Sequence, residues 1–449
     1  MLSGGTGSIT AAGSKRPLTG FGLAMGRRRF RWLLLGISGT AIGIQYVWQT
    51  LITPAFFPGS APVDFIEDYV GSAQLMLSGI DPYSACHTRA CWADLANTAS
   101  VYPPVVTWLS LPLAHIDRTV SADAALIAMQ IFVVIFLFAV ASALQVPDRQ
   151  AIVALAIVTI AFPPLIGEIV KRNLEVLLLA LSGIWFWGYV LGDRWWSGAA
   201  LGIGLALKLV QAPLLFLGIW CRRWVTTVAA LVAFAVLWAV GAPQYLPEFI
   251  TRVLPGFNTG TGYAMDVAPV ATLARLFHPG SMYGYGSGVD VTVRLLGYLI
   301  AGAVVVLTVI TVGSPRSDRD GRALEAAAVV SATPLVLAVV RPGHLLLLLL
   351  PITVLTIVGV RKHDWQSVGL VVASWALMGP IYLAASNLLA AGIGLPWTRG
   401  GEETAVAGAI VLWVVSLRVL RAHRAPALGS VPAPLPATTG SSLRASRLM

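Results

Sequence analysis

The sequence predicts an all-α polytopic membrane protein, a bundle of about 10–12 transmembrane helices with short amphipathic helices in two extracytoplasmic loops. Two observations support this class. Of the 449 residues 57% are hydrophobic and only 11% charged, which is far more apolar than soluble domains are. Apolar runs long enough to cross a bilayer also recur along the chain. We expect spans near residues 31–52, 104–116, 123–146, 151–169, 173–191, 195–216, 224–241, 291–312, 323–340, 344–359, 366–385 and 404–418.

The chain divides into three parts by composition. Residues 1–30 are rich in Gly, Ser and basic residues, and we expect a disordered cytoplasmic segment. Residues 31–420 form the transmembrane domain, with outer loops at 53–103 and 242–290. The tail, 421–449, is rich in Pro, Ala and Ser and is also expected to be disordered and cytoplasmic. Long loops in a compact domain are usually functional, so both outer loops are candidates for the site.

The distribution of Lys and Arg predicts the orientation. With the amino terminus inside, the cytoplasmic segments hold about three times as many of these residues as the outer segments, as the positive-inside rule requires. This places Arg118, Lys171 and Arg172 inside, and Arg149 and Arg194 outside. The net charge of +10 then needs no nucleic-acid partner. We expect a multi-pass plasma-membrane protein with both termini cytoplasmic.

The first outer loop concentrates acidic residues just after the first span. Asp64, Glu67 and Asp68 lie at i, i+3 and i+4, so an α-helix from Asp64 to Gly79 would present one acidic face. In a chain that uses charge so sparingly, this face is a candidate site for a membrane enzyme. The second outer loop contains another helical stretch, Ala268 to Phe277.

Cysteine usage is compatible with an oxidising outer compartment. Cys86 and Cys91 lie five residues apart in the first outer loop, where a disulfide is permitted although so small a ring is sterically tight. A metal site is less favoured there, because His87 is the one histidine close by and zinc wants four ligands. We expect no metal and no cofactor.

Eight short motifs occur in the order and spacing of one enzyme family. They are Asp64-Phe65 with Tyr69; Gly79-Ile80-Asp81-Pro82-Tyr83; Tyr102-Pro103-Pro104; Asn173-Leu174-Glu175; Gly202 to Lys208 before Pro213; Arg222-Arg223-Trp224; Leu273 to Phe277; and Pro342-Gly343-His344. With them, roughly residues 30–360 resemble the polyprenyl-phosphate-dependent glycosyltransferases of family 87, in the GT-C class. Two motifs depart from the family. Its Gly-Gln-x-Asn is replaced by Gly167-Glu168 and a later Asn173, and its paired histidines are reduced to His344.

The resemblance implies transfer of a sugar, a hexose such as mannose, from a polyprenyl-phosphate donor to a cell-envelope glycan or glycolipid on the outer face, with inversion. Asp64 would be the general base, with Asp68 taking that role if the register shifts by one turn; His344 would also be catalytic. The other expected substrate contacts are Glu67, Asp68, Tyr69, Tyr83, Tyr102, Lys208, Arg275 and Arg341.

Each assignment has a structural alternative. Asp64 could simply cap its own helix, Lys208 could extend toward the cytoplasmic edge, and the tyrosines could mark the membrane interface. Asn173 and Glu175 follow Lys171 and Arg172, so we expect them on the cytoplasmic side in a structural role. For the whole protein, an arabinofuranosyltransferase with the analogous lipid carrier, a secondary transporter or lipid flippase, and a non-catalytic scaffold of an envelope complex remain open.

Overall fold

The computed structural model describes residues 19–53, 64–83, 100–146, 148–257, 266–277, 289–390 and 401–424. These residues contain helices and turns and no β-strand, which confirms the all-α class. The first helix begins at Thr19, within the segment for which no regular structure was expected. Cys86 and Cys91 lie outside the described residues, so their pairing stays a prediction.

The helices, numbered in chain order, are α1 (Thr19–Val47), α2 (Asp64–Gly71, π-helical, continuing as Ser72–Leu77), α3 (Pro104–Leu109), α4 (Leu111–Ala114), α5 (Arg118–Ala143), α6 (Arg149–Ile160), α7 (Pro163–Lys171), α8 (Glu175–Leu191), α9 (Trp195–Leu207), α10 (Ala212–Trp220), α11 (Trp224–Val240), α12 (Pro269–Phe277), α13 (Val291–Val312), α14 (Arg319–Val336), α15 (Leu349–Arg361), α16 (Trp365–Ala376, continuing through a π-helical turn into Tyr382–Ala390) and α17 (Gly401–Arg424).

Five of the helices in the described residues are long and apolar enough to cross a membrane: α5, α13, α15 with the 3₁₀ turn before it, α16 and α17. Two bent pairs raise the number to seven if each counts as one span. These are α6 with α7, bent by 62°, and α11 with the Pro243–Val253 segment, bent by 91°. The protein is therefore a multi-pass membrane protein, with fewer long spans in the described residues than the sequence predicts.

Side-chain contacts divide the bundle into two ends. At one, which we call the α2 end, Arg118 at the start of α5 donates to Gln74 of α2. At the other, the basic end, Arg361 at the end of α15 donates to the carbonyl of Leu144, just after α5. The turns of the basic end carry Arg149, Arg194, Arg222, Arg223, Arg316, Arg319, Arg361 and Lys362.

The expected span at 104–116 is wrong. The segment forms two short helices, α3 and α4, which meet at Ser110, because Pro112 lacks the backbone N–H that a continuous helix would donate to the preceding turn. The chain therefore does not cross the bundle here. Arg118 consequently lies at the α2 end rather than on the side predicted for it.

The expected span at 195–216 is also wrong, because the chain reverses at Lys208. Lys208 is extended, with φ −160° and ψ 123°, and separates α9 from a 3₁₀ turn and α10. The start of α9 and the end of α10 both lie at the basic end. Asp193 before α9 accepts from the backbone N–H of Thr226, and Trp220 at the end of α10 donates to the carbonyl of Gly313.

The first correction reverses the predicted direction of every later crossing, and the second reverses it back. Only the segment between the two therefore changes ends. Arg149 and Arg194 move to the basic end, whereas Lys171 and Arg172 move to the α2 end with the turn that carries them. From α11 onward, the expected alternation of crossings holds. α15, for example, runs from the α2 end to Arg361 at the basic end.

Close packing of α9 on α11 fixes the hairpin in the bundle. A Cβ added at Gly202 would lie 2.2 Å from the carbonyl oxygen of Ala230, and one at Gly198 would lie 2.1 Å from that of Thr226. This is the small-xxx-small spacing that lets two membrane helices approach closely. Trp238 of α11 adds a hydrogen bond to the carbonyl of Ala206, with a distance of 3.1 Å.

A buried carboxylate, Asp266, ties the second outer loop to the segment before the α15 turn. Its Oδ1 accepts from the backbone N–H groups of Ala268 and Val340, each at 2.9 Å. Burial raises the pKa of this carboxyl to about 6, although the two N–H groups and the nearby Arg341 and Arg275 oppose that rise.

Gly202→Ala should lower the melting temperature of the purified protein, because the added methyl meets the α11 backbone. Overpacking of this kind costs about 1–3 kcal/mol. Gly369→Ala is the matched control, since a Cβ there meets nothing within 4 Å and alanine is the better helix former. Equal melting temperatures for the two variants would contradict the close packing of α9 on α11.

The raised pKa of Asp266 predicts a pH effect on stability. The folded protein holds this proton up to about pH 6, whereas the unfolded chain releases it near 3.9. The stabilisation is thus present below pH 4 and is lost as the pH rises to about 6, a change of roughly 2–3 kcal/mol. Asp266→Asn should remove this decline in melting temperature between pH 4 and 7, with Glu67→Gln as control. An unchanged decline in the Asp266 variant would overturn the assignment.

Candidate active site

The acidic helix α2 is docked by Tyr69. Its phenol donates to Asn173 Oδ1 at 3.0 Å and accepts from the backbone N–H of Leu174 at 3.0 Å. Its ring packs edge-on against Tyr102, with centroids 5.1 Å apart, and Phe65 packs on its other side at 6.0 Å. These contacts join the first outer loop to the turn between α7 and α8.

The π-helical winding of α2 changes its acidic face. A π-helical turn takes more residues than the 3.6 of an α-helix, so Asp64 and Asp68, four apart, stay about one turn apart on one face, whereas Glu67 is rotated away from them. Glu67 is exposed, whereas Asp68 is half-buried. Burial raises the pKa of both the Tyr69 and Tyr102 phenols, and the negative charge of Asp68 adds to both effects. Asp64 is the first residue of α2, and its side chain lies outside the described part.

The α7–α8 turn and the first residue of α8 contribute two polar side chains, Asn173 and Glu175. Arg172 ends α7 in the left-handed conformation, with φ 54°. The backbone N–H of Asn173 then donates to the carbonyl of Glu168 at 2.9 Å. Asn173 Oδ1 then accepts from the backbone N–H of Glu175 at 3.3 Å, which begins α8. The Glu175 side chain is 2% exposed, so its carboxylate needs partners within the protein.

Glu175 is held between a cation and an imidazole. Lys208, from the tip of the α9–α10 hairpin, donates to Glu175 Oε1, and its ammonium lies 5.4 Å from the centre of the Tyr102 ring. His344 Nε2 lies 3.2 Å from the same carboxylate oxygen. Lys208 is therefore turned into the bundle at the α2 end, where it meets Glu175 and Tyr102. Its side chain is still 23% exposed.

The backbone sets the orientation of His344. The N–H of Arg341 donates to His344 Nδ1 at 3.1 Å, so a neutral imidazole carries its proton on Nε2, the atom that faces Glu175. Gly343 permits this approach, since a Cβ there would lie 2.7 Å from Cδ of Glu168 and 2.9 Å from Cγ of Glu175. Arg341 itself is half-buried beside the cluster.

The structure brings together a large part of the set that the sequence predicts. Tyr69, Tyr102, Lys208 and His344 lie around Glu175 and Asn173, and Asp68 and Arg341 border them. We call this group the Glu175 cluster. It combines an ammonium, an imidazole and phenols beside an acidic turn. This set suits an anionic ligand with a hydroxyl-bearing partner.

Two predicted contacts are engaged elsewhere. Tyr83 is 1% exposed and packs on Phe249. Its phenol donates to the carbonyl of Tyr102 at 2.6 Å, so it holds the backbone of Tyr102 in place. The side chain of Arg275 is 4% exposed; Glu403 accepts from its Nε at 2.8 Å and the Asp266 carbonyl from its Nη1 at 2.8 Å. These contacts make Arg275 part of the Asp266 tie rather than of the Glu175 cluster.

Asn173 and Glu175 are the members that the sequence reasoning missed. They were expected on the cytoplasmic side, and Tyr69 and His344 show that they lie at the α2 end. Glu175 stands at the head of a 17-residue apolar helix, and a carboxylate there is a functional candidate by default. Among the described residues, no group of three or more His, Cys, Asp and Glu side chains is arranged to hold a metal ion.

Comparison with known proteins identifies one family. Residues 101–342 match the model of glycosyltransferase family 87. An α-(1→3)-arabinofuranosyltransferase of Corynebacterium glutamicum is 24% identical over 298 residues, which are 63% of this chain and 64% of that protein. Proteins of the same description from Mycobacterium tuberculosis strains CDC 1551 and H37Rv are 27% identical over 176 residues, 36% of this chain and 39% of theirs.

The matched region contains much of the Glu175 cluster. It begins at residue 101, just before Tyr102, includes Asn173, Glu175, Lys208 and Arg341, and ends at 342, two residues before His344. The chain spans 64% of the length of the Corynebacterium relative. Because the family model covers more than half of the 449 residues, this chain belongs to glycosyltransferase family 87.

Proposed function

We propose that this protein is an integral-membrane glycosyltransferase that moves a sugar from a polyprenyl-phosphate donor to a hydroxyl group of a cell-envelope glycan or glycolipid. The observation that carries the proposal is the docking of the acidic helix α2 beside a buried Lys–Glu–His group. Family membership supports the reaction class. The lipid carrier is inferred from the apolar surroundings of the cluster and from the family resemblance.

The orientation follows from charge. We place the basic end in the cytoplasm and the α2 end on the outer face, because Lys and Arg in short turns favour the inside. The structure-based arrangement keeps this asymmetry: the turns of the basic end are rich in Arg, and α2 contributes acids at the opposite end. The acceptor and the donor sugar would then meet outside the cell.

Lys208 and His344 are placed to contact the donor phosphate. When the glycosidic bond breaks, its electron pair leaves with the polyprenyl phosphate, and positive charge or N–H donors stabilise that leaving group. Lys208 offers an ammonium that is still partly exposed, and His344 offers Nε2–H. Glu175 positions both groups. Arg341, adjacent through its backbone contact with His344, is a further candidate for the phosphate.

A carboxylate of α2 would act as the base. The acceptor hydroxyl attacks the anomeric carbon, a new C–O bond forms as the C–O bond to phosphate breaks, and the carboxylate takes the hydroxyl proton. Such assistance is worth about 10²–10⁴-fold. Asp68 is half-buried and precedes Tyr69 in the chain, and its charge acts on the Tyr102 phenol, which favours it for this role. Asp64, one π-helical turn earlier, remains the second candidate.

Arabinofuranose is now the sugar with the best support. The sequence reasoning placed a hexose first, but each of the relatives above is described as an α-(1→3)-arabinofuranosyltransferase. The comparisons give mannose no such support. Inversion would make an α-linked product from a donor of β configuration.

One observation favours a different class, a transporter or lipid flippase. Lys208 lies at a break between two apolar helices, which is where transporters place their coupling and substrate sites. A flippase would move the lipid carrier without forming a glycan bond. Reconstituted vesicles separate the two classes, because a transferase forms product on the outer face, whereas a flippase relocates donor without consuming it.

Purified protein should transfer labelled arabinofuranose from its polyprenyl-phosphate donor to an oligosaccharide acceptor, and should use the mannosyl donor far less. Asp68→Asn should reduce transfer by about 10²–10⁴-fold, because an amide cannot take the proton. Glu67→Gln is the matched control, since Glu67 is exposed on the same helix. An active Asp68 variant and an inactive Asp64→Asn variant would move the base to Asp64. Full activity in both would remove α2 from the chemistry.

The Glu175–Lys208 pair predicts a separable effect on folding and transfer. Glu175→Gln alone should lower the melting temperature, since the Lys208 ammonium, still 23% exposed, loses its ion-pair partner, a loss of at most about 3–5 kcal/mol. The double variant Glu175→Gln/Lys208→Met removes both charges and should recover much of that loss. It should still fail to transfer sugar, because the phosphate contact is gone. A stable and fully active double variant would show that the pair is structural only.

A further inference from the structure

A second group of buried charges lies at the basic end, away from the Glu175 cluster. There the turn between α10 and α11 meets the turn between α13 and α14. Arg223 donates through Nη2 to the carbonyl of Arg316 at 3.1 Å, and Trp220 donates to the carbonyl of Gly313 at 2.9 Å. Arg322, in the first turn of α14, donates to the carbonyl of Val190 at 2.9 Å. Three arginine side chains thus lie at these two turns; we call Arg223, Arg316 and Arg322 the arginine group.

The carboxylate of Glu325 lies beside this group and already accepts two hydrogen bonds. It is completely buried; its Oε1 accepts from the backbone N–H of Arg316 at 2.6 Å, and its Oε2 accepts from the Tyr189 phenol at 3.0 Å. Arg316 Nε lies 3.9 Å from Oε1, an ion pair without hydrogen-bond geometry. The guanidinium of Arg223 lies over the Tyr189 ring, 5.6 Å from its centre. The carboxylates of Glu325 and Asp318 act on Arg322, so they offset two of the three guanidinium charges of the group and leave one positive charge over.

Several N–H groups of the arginine group are buried and make no hydrogen bond within the described residues. Among the described residues, Nε of Arg223, Nε and Nη2 of Arg316, and Nε of Arg322 are buried atoms without a hydrogen-bond partner. Leaving such a donor unsatisfied costs about 1–3 kcal/mol, more when it is charged. Guanidinium forks match the oxygens of a phosphate group, so a phosphate oxyanion would satisfy several of these donors at once.

An exposed aromatic strip lies directly beside the arginine group. Phe216 and Trp220 of α10 stack with their ring centroids 6.4 Å apart and are 50% and 44% exposed, and Trp224 at the start of α11 is 55% exposed. Aromatic side chains on apolar helices mark the level of lipid head groups. A ligand that bridges both features needs a phosphate at one end and hydrocarbon at the other.

We propose that the arginine group binds the phosphate of an anionic phospholipid in the leaflet at the basic end, with acyl chains lying along Phe216 and Trp220. Basic pockets between transmembrane helices are suited to such head groups. The site joins the α10–α11 turn to the α13–α14 turn. Bound lipid would therefore stabilise the half of the bundle that carries the α9–α10 hairpin. The proposal is independent of the transfer reaction.

The test uses full-length, delipidated protein in a neutral detergent. Dioleoyl phosphatidylglycerol should raise its melting temperature by several degrees, whereas dioleoyl phosphatidylcholine should not. Arg316→Gln should weaken phosphatidylglycerol binding, counted by native mass spectrometry, by about tenfold or more, since charge-assisted hydrogen bonds are lost. Arg223→Gln should act in the same direction. Arg194→Gln, an exposed arginine at the same end, is the control and should bind as the parent protein does.

Each outcome decides the question. A shift with inorganic phosphate alone that equals the shift with phosphatidylglycerol would mean a free-phosphate site and overturn the lipid assignment. Equal binding of both lipids, or equal loss in Arg194→Gln and Arg316→Gln, would overturn the arginine group as the site. Arg316→Gln is preferred because the side-chain contact found for Arg316 is the loose ion pair to Glu325, so folding should survive. Sugar transfer by Arg316→Gln should stay normal, which keeps this test apart from that of the transfer reaction.

Discussion

The buried carboxylate of Glu175 is the contact on which the arrangement of the α2 end depends. It lies at the start of α8 and meets Lys208 from the α9–α10 hairpin and His344 from the turn before α15. A carboxylate that is 2% exposed would be costly without these partners, so three separate parts of the chain are held at one point. Asn173, next to it in sequence, holds α2 through Tyr69.

The same constraint explains why α9 and α10 do not form one span. A continuous helix would leave Lys208 in the middle of an apolar segment without a carboxylate. By breaking there, the chain brings the ammonium to Glu175, and Gln211 ties the turn to α8 by donating to the carbonyl of Leu178 at 3.0 Å. Gly198 and Gly202 then let the hairpin pack closely against α11. A functional group and a break in secondary structure thus share one position.

Much of the fold could be predicted from the sequence, because long apolar helices such as α5 and α13 are recognisable from their hydropathy. Segments 104–116 and 195–216 could not, since a short apolar run reads the same whether it crosses a bilayer or folds back. For the site, His344, Lys208 and Tyr69 were found from motif and charge. Glu175 and Asn173 were missed because the wrong span at 104–116, which precedes them, put them at the wrong end. Lys208 held the signal: a lysine inside a span predicts a buried acid nearby, and Glu175 was available.

The central claim is that the donor phosphate binds at the Glu175 cluster. The most direct measurement is a cryo-electron microscopy structure of the protein with a non-hydrolysable polyprenyl-phosphonate sugar bound. The account predicts the phosphonate oxygens within hydrogen-bond distance of Lys208 Nζ and His344 Nε2, and the anomeric carbon facing Asp68 or Asp64 on α2. A phosphonate bound away from both Lys208 and His344, with the sugar remote from α2, would contradict it.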